Sequence, residues 1–251
     1  MRKVISVIIC LSLIGILSSY VTYSNSLLQR ANLGDPESQN NLGLCYEYGY
    51  GISQNWKEAF KWFKAAADQG HAWAQHNVGN CYYHGNGVTI NYDEALHWFR
   101  LSAKQWNASA QNYIGLCYEK GYGVEQDYQE AVRWYLIAAD QNEKWAQFNL
   151  GVAYDNGQGV IQNFKEAVKW YRMAAEQGVS DAQNNLGLCY ELGNGVTKSK
   201  SEAYFWYLIA SANGNEYGLS NRDLIAKVLS QQQKDEIQTR AQKWFAEHQE
   251  D

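Results

Sequence analysis

The stretch Ala182-Gln183-Asn184-Asn185-Leu186-Gly187-Leu188-Cys189-Tyr190-Glu191-Leu192-Gly193-Asn194-Gly195 decides the fold. Ala182, Leu186, Cys189 and Tyr190 fall at helical spacing. Gly193-Asn194-Gly195 then stops the helix, because glycine accepts the left-handed backbone that a helix end needs. Thirty-six residues before Gly187 stands Gly151, and the same interval leads on to Gly115, Gly79 and Gly43. It also links Gln39, Gln75, Gln111, Gln147 and Gln183, and Tyr46, Tyr82, Tyr118, Tyr154 and Tyr190. A fixed period of this length marks a repeat architecture, in which each unit covers the apolar face of the next.

Each Gly-x-Gly turn leads into a second helix. Asn55/Glu58, Asn91/Glu94, Asp127/Glu130, Asn163/Glu166 and Ser199/Glu202 have the spacing of capping boxes. Each cap contributes about 1 kcal/mol. Ala59, Ala95, Ala131, Ala167 and Ala203 follow, then Trp62, Trp98, Trp134, Trp170 and Trp206, as the packing face. Gln69-Gly70 and Gln177-Gly178 end two of these helices. Trp106 and Asn142 stand where glycine would sit, and Asn107 is the candidate to take the left-handed turn beside Trp106.

The period defines five units, 37–72, 73–108, 109–144, 145–180 and 181–216. Residues 25–36 read as a partial capping helix, with Leu27 to Gly34 as its tail. Residues 217–251 read as a helical cap. It includes a helix over Leu219 to Leu229, a capping box at Ser230/Gln233, and an apolar stripe of Ile237, Ala241, Trp244, Phe245 and His248.

The pattern Ala-x-x-x-Leu-Gly-x-x-Tyr-x-x-Gly-x-Gly-Val, followed by Asn/Asp-Tyr/Phe-x-Glu-Ala-x-x-Trp-Tyr-x-x-Ala-Ala-x-Gln-Gly, closely resembles Sel1-like repeats. Asn221-Arg222-Asp223-Leu224 with Leu229-Ser230 resembles the end of bacterial members. The resemblance implies an all-α fold, a right-handed α/α superhelix (solenoid) that binds proteins, commonly on its concave face. It also implies an adaptor rather than an enzyme, with no cofactor. Some family members are immunity proteins that neutralise a secreted toxin. Others carry two cysteines per repeat that bridge the helices, and β-lactam binding belongs to that branch. The second cysteine is missing from every unit here.

Formal net charge is -5, with 26 acids against 21 bases. The basic pair Arg2 and Lys3 lies at the very start, so the body is more acidic still. It lacks the electrostatic footprint of a phosphate-backbone binder, so no nucleic-acid partner is expected. Residues 1–24 read as a signal peptide or an N-terminal anchor: a basic start, an apolar run from Val4 to Leu17, and then polar residues. Export follows on either reading. The expected place is the periplasm or its face of the inner membrane, or outside the cell, with the membrane met only through this segment.

Cys45, Cys81, Cys117 and Cys189 share one repeat position, filled by Ala153 in the fourth unit. A position that takes Cys or Ala is a small buried slot. Neighbouring helices set equivalents about 8–10 Å apart, beyond the roughly 7 Å that a disulfide allows. Buried free thiols are the expectation. His76, Asn80 and His84, with His71 nearby, are weighed as a metal site and set aside, because two helical turns separate His76 from His84.

Binding residues are sought where the units differ on one face. Core positions occupy one side of the first helix. The other side holds Asn40, Asn41, Leu44 and Glu47; His76, Asn77, Asn80 and Tyr83; Asn112, Tyr113, Leu116 and Glu119; Phe148, Asn149, Val152 and Asp155; and Asn184, Asn185, Leu188 and Glu191. An apolar strip with aromatics, flanked by acids and amides, suits a protein or peptide partner carrying a basic segment.

Overall fold

The computed structural model describes residues 22–248, so the targeting segment lies outside the described residues but for its last three. The chain divides into two compact units, one ending at Glu125 and the other beginning at Gln126. The first contains α1 (Asn25–Asn32), α2 (Pro36–Tyr48), α3 (Trp56–Asp68), α4 (Ala72–His84), α5 (Tyr92–Ala103) and α6 (Ala108–Lys120). The second contains α7 (Tyr128–Ala139), α8 (Lys144–Asn156), α9 (Phe164–Glu176), α10 (Ser180–Leu192), α11 (Lys200–Ala212), α12 (Glu216–Ile225), a 3-10 turn (Ala226–Val228) and α13 (Gln231–His248). The described residues form helices and no strands, and within each unit consecutive helices pack in chain order up to α12, while α13 packs on α11. The all-α solenoid reading holds.

The second helices are capped as their spacing predicts. The side chains of Asn55, Asn91, Asp127, Asn163 and Ser199 each accept a backbone N–H from the first turn. Four of the glutamates pair with a cation: Glu58 with Lys61, Glu130 with Arg133, Glu166 with Lys169 and Glu202 with Arg240. The fully reciprocal box is at Ser230/Gln233, with bonds of 2.9 and 3.2 Å.

The first helices have caps of mixed chemistry. Asp35, His71, Asn107, Glu143 and Asn215 accept from Ser38, Ala74, Ala110, Ala146 and Gly218, while Val179 supplies no side-chain cap. The glycine that ends α4, Gly85, has φ 77°, and its N–H bonds to Cys81. The second glycine of that turn has a different task. A Cβ on Gly87 would lie 2.2 Å from the Trp56 carbonyl oxygen, so this turn presses on the start of α3.

Inside the first unit a Cβ on Gly79 would meet the Phe99 ring at 2.6 Å. A glycine in mid-helix costs about 1 kcal/mol against alanine, and here it lets an aromatic ring reach the helix backbone. Phe63 and Phe99 in the first unit, and Tyr135, Tyr171 and Tyr207 in the second, are among the largest fully buried side chains. The tryptophan one position earlier is less enclosed. Trp98, Trp170 and Trp206 are buried, but Trp62 and Trp134 are only partly so. The indole N–H of Trp62, Trp98, Trp170 and Trp206 finds no acceptor among the described residues. The Lys64 ammonium lies 5.0 Å over the Trp98 ring and that of Lys169 5.0 Å over the Trp170 ring.

The repeated glutamines tie the two helices of their own repeat, and some also reach back to the helix before it. Gln69 donates to Gln39 at 2.7 Å, Gln105 to Gln75 at 2.8 Å, Gln177 to Gln147 at 2.7 Å and Asn213 to Gln183 at 2.9 Å. Gln39 and Gln183 also donate to the carbonyls of Ala31 and Ala175. Buried amides of this kind need their partners, which fixes glutamine at the position.

Trp106 itself adopts the left-handed backbone, with φ 64°, as does Asn142. Asn107, expected to do so, caps α6 in an extended conformation instead. At the amino end Leu27 and Ala31 of α1 pack with Leu42 and Cys45. At the carboxyl end Ile225, Leu229, Ile237 and Ala241 join the core of the second unit.

Candidate partner-binding faces

The first unit presents α2, α4 and α6. Asn40, His76 and Asn112 are buried between helices rather than open to a partner. The wheel of an isolated helix places them outward, but Asn77 of α4 meets Asn40 and Tyr113 of α6 packs on His76. Asn77 donates to Asn40 at 2.9 Å, and Asn80 bonds His76 at 2.9 Å. His76 Nδ1 and Asn80 Oδ1 have no partner among the described residues. Burial pushes the His76 imidazole down to about 4, so it is neutral near pH 7. The other histidines also have roles: His71 caps α4 and pairs with Glu37 at 2.8 Å, and His84 faces the Tyr113 hydroxyl at 3.4 Å. Among the described residues no group of His, Cys, Asp and Glu could hold a metal ion.

Asn41, Leu44, Glu47, Asn77, Asn80, Tyr83, Tyr113, Leu116 and Glu119 are partly exposed. Tyr83 is the hub of an aromatic cluster, with Tyr113 at 5.4 Å, Tyr92 at 5.5 Å and Tyr122 at 5.8 Å. Tyr92 and Tyr122 stack at 4.1 Å, and Tyr113 stacks on Phe99 at 4.8 Å. Burial pushes the Glu47 carboxyl up to about 7, opposed by a hydrogen bond from Tyr48. Glu119 pairs with Lys120 at 2.7 Å.

The second unit presents α8, α10 and α12. Phe148 packs at 6.1 Å from Tyr171, and Val152 lies against the core. Asp155 accepts the Tyr171 hydroxyl at 3.3 Å, and Glu191 accepts the Tyr207 hydroxyl at 2.7 Å. Asn184 accepts from Asn221 at 3.0 Å and donates to Asn185 at 3.4 Å. Asn149 is partly exposed. Leu188 is 41% exposed.

Sequence reasoning missed one repeat position on these faces. Tyr48 and Leu192 occupy the last position of a first helix and are exposed. The signal was available one residue before each stopping glycine. Leu224, 61% exposed, and Val228 continue the columns of Leu188 and Leu192 beyond residue 216. There the glycines and tyrosines that reveal the period are gone.

Cys45, Cys81, Cys117 and Cys189 are free and buried, and burial holds all four thiols well above their usual range, at about 11 for Cys45 and about 12 for the others. They are protonated near neutral pH, which makes them poor nucleophiles. What the faces offer is contact area, amides and carboxylates.

A Sel1 repeat family model matches residues 36–71, 74–105, 108–143, 146–179 and 180–215, more than half of the chain. Among solved structures the chain is similar to a Sel1 repeat protein from Oxalobacter formigenes, at 35% identity and TM-score 0.72, over 84% of this chain and 89% of that one. A putative sel1 repeat protein from Klebsiella pneumoniae subsp. pneumoniae is 18% identical, with TM-score 0.56, over 80% of this chain and 98% of that one. The immunity protein Pa5087 from Pseudomonas aeruginosa is 16% identical, with TM-score 0.53, over 76% of this chain and 74% of that one. The last two likenesses concern the fold alone. No curated protein matches the chain.

Proposed function

We propose a protein-binding role in the bacterial cell envelope for this chain, which belongs to the Sel1 repeat family. Sel1 repeat proteins are generally non-enzymatic scaffolds. The first-helix faces are the docking surface. The observation that carries this reading is the run of exposed aliphatic residues on α10 and α12, Leu188, Leu192 and Leu224, beside the carboxylate of Glu191. Exposed aliphatic side chains grouped on adjacent helices, with a polar flank, have the composition of an interface. The acidic face favours a partner with a basic segment.

The envelope placement rests on residues 1–24, whose basic start and apolar run suit export. Cell fractionation with amino-terminal sequencing of the recovered protein tests it. Mild crosslinking in the protein's own cells, followed by purification and identification of what accompanies it, tests the scaffold. A secreted toxin as partner selects the immunity role, and an envelope sensor selects a regulatory one. Recovery of the protein alone contradicts the scaffold reading.

A further inference from the structure

The carboxyl-terminal cap does more than cover the last repeat. Between α9, α11 and α13 lies a cleft of about 390 Å³, with Phe205, Trp206 and Trp244 among its lining residues. Trp206 and Trp244 meet edge to face at 6.3 Å, and His248 stacks on Trp244 at 4.1 Å. The Arg240 guanidinium lies 3.8 Å over Phe205 and is engaged by Glu202 at 2.5 and 2.9 Å.

Arg172 lines the same cleft in a different state. Among the described residues its hydrogen bond goes to the Tyr190 hydroxyl, at 2.6 Å, and no carboxylate pairs with it. That bond holds the guanidinium in place and uses one of its five N–H donors. The rest form a fork that matches a carboxylate. Arg100 makes the same contact with Tyr118 at 3.2 Å, so holding the arginine is a property of the repeat. What α13 adds beside Arg172 is an aromatic wall and another cation, Lys243. Lys243 meets Glu247 at 3.6 Å, and both are more than half exposed, so this pair opens at little cost.

The charges choose between ligands. Arg172, Arg240 and Lys243 line the cleft together with two acids, Glu176 and Glu247. A small excess of positive charge suits one carboxylate, whereas a doubly charged phosphate would face both acids. A peptide answers every group: its carboxylate meets Arg172 and Lys243, its amide N–H groups meet the acids, and an apolar side chain meets the rings.

We propose that this cleft binds an acidic segment of a partner protein. A glutamate or aspartate side chain sits on Arg172, and a neighbouring aromatic or aliphatic side chain lies against Trp206 and Trp244. The occupant rests on the protein-binding reading of the chain. The place does not, since no residue proposed for the first-helix face lines the cleft. The two surfaces ask for opposite charges.

The test titrates the isotope-labelled protein with acetyl-Phe-Glu-Phe-amide and its glutamine analogue, followed by amide NMR. Saturable shifts on α9, α11 and α13 are expected with the glutamate peptide. Binding should fall roughly tenfold for the glutamine peptide and for Arg172→Gln. Arg100→Gln removes the equivalent arginine of another repeat and should bind as wild type does. Lys243→Glu, a change at an exposed position, should weaken the glutamate peptide and leave the glutamine peptide unaffected. It keeps the test decisive if Arg172→Gln unsettles α10 through Tyr190. No saturable shift on these helices, equal binding of the two peptides, or full binding by a folded Arg172→Gln variant or by Lys243→Glu overturns the cleft. So does tighter binding there of inorganic phosphate, or of acetyl-Phe-Phe with a free carboxyl end, than of the glutamate peptide. Each of these failures leaves the first-helix face untouched.

Discussion

The hydroxyl of Tyr207 donates to a carboxylate oxygen of Glu191 at 2.7 Å, joining the buried ring of α11 to the outer face of α10. One residue thereby serves two layers, since its ring fills the core and its hydroxyl sets a charged group on the surface. Tyr207→Phe keeps the ring and leaves the carboxylate without its donor. A loss of about 1–2 kcal/mol is expected on chemical denaturation, with helicity retained. The converse change, Phe63→Tyr at the corresponding position of the first repeat, supplies the missing hydroxyl at Glu47 and should lower the pH at which that carboxyl titrates.

Glu47 and His76 pull the pH dependence of stability in opposite directions. The Glu47 carboxyl moves from 4.5 up to about 7 on folding, so its folded form is favoured at low pH, and that advantage is lost as pH rises through 7. The His76 imidazole moves from 6.5 down to about 4, so its contribution is whole above 6.5 and is lost as pH falls toward 4. Between the two ordinary values the effects offset each other. Glu47→Gln should raise the melting temperature at pH 8, and it should expose a steeper loss of stability below pH 6.5. A variant with the pH profile of wild type would contradict the Glu47 assignment.

Trp106 is 73% exposed and holds φ 64° with a bulky side chain. Trp106→Gly should stabilise the fold by about 1 kcal/mol, because glycine adopts that backbone without strain. Thermal melting measures the gain.

The helices and their period were legible because the residues that make them are chemically strict. Gly79 must admit a ring, Gly87 must admit a carbonyl, and Gln75 must satisfy buried amides. The caps of the first helices were not legible, because Asp35, His71, Asn107 and Glu143 perform one task with four chemistries. Asn40, His76 and Asn112 were placed outward because a single helix wheel does not show which side meets the next repeat. Leu224 was missed because α12 keeps the helix of the repeat but not its glycines.

The four cysteines of the repeats should stay unreactive toward a thiol reagent under native conditions. Cys45, Cys81, Cys117 and Cys189 should titrate once the chain is unfolded without reductant. A shortfall would reveal a disulfide. Purified protein should leave the β-lactam nitrocefin intact, and turnover would contradict the scaffold assignment.

Leu188 and Leu224 stand on the proposed docking face and add little to the core, being 41% and 61% exposed. Leu188→Asp with Leu224→Asp should therefore leave the melting temperature near that of wild type. The most direct measurement compares crosslinked complexes recovered from cells with wild type and with this double variant. One protein accompanying wild type at near-equal amount, and lost with the variant, is the predicted result. The same protein recovered equally with both would contradict the assignment of the first-helix face as the docking surface.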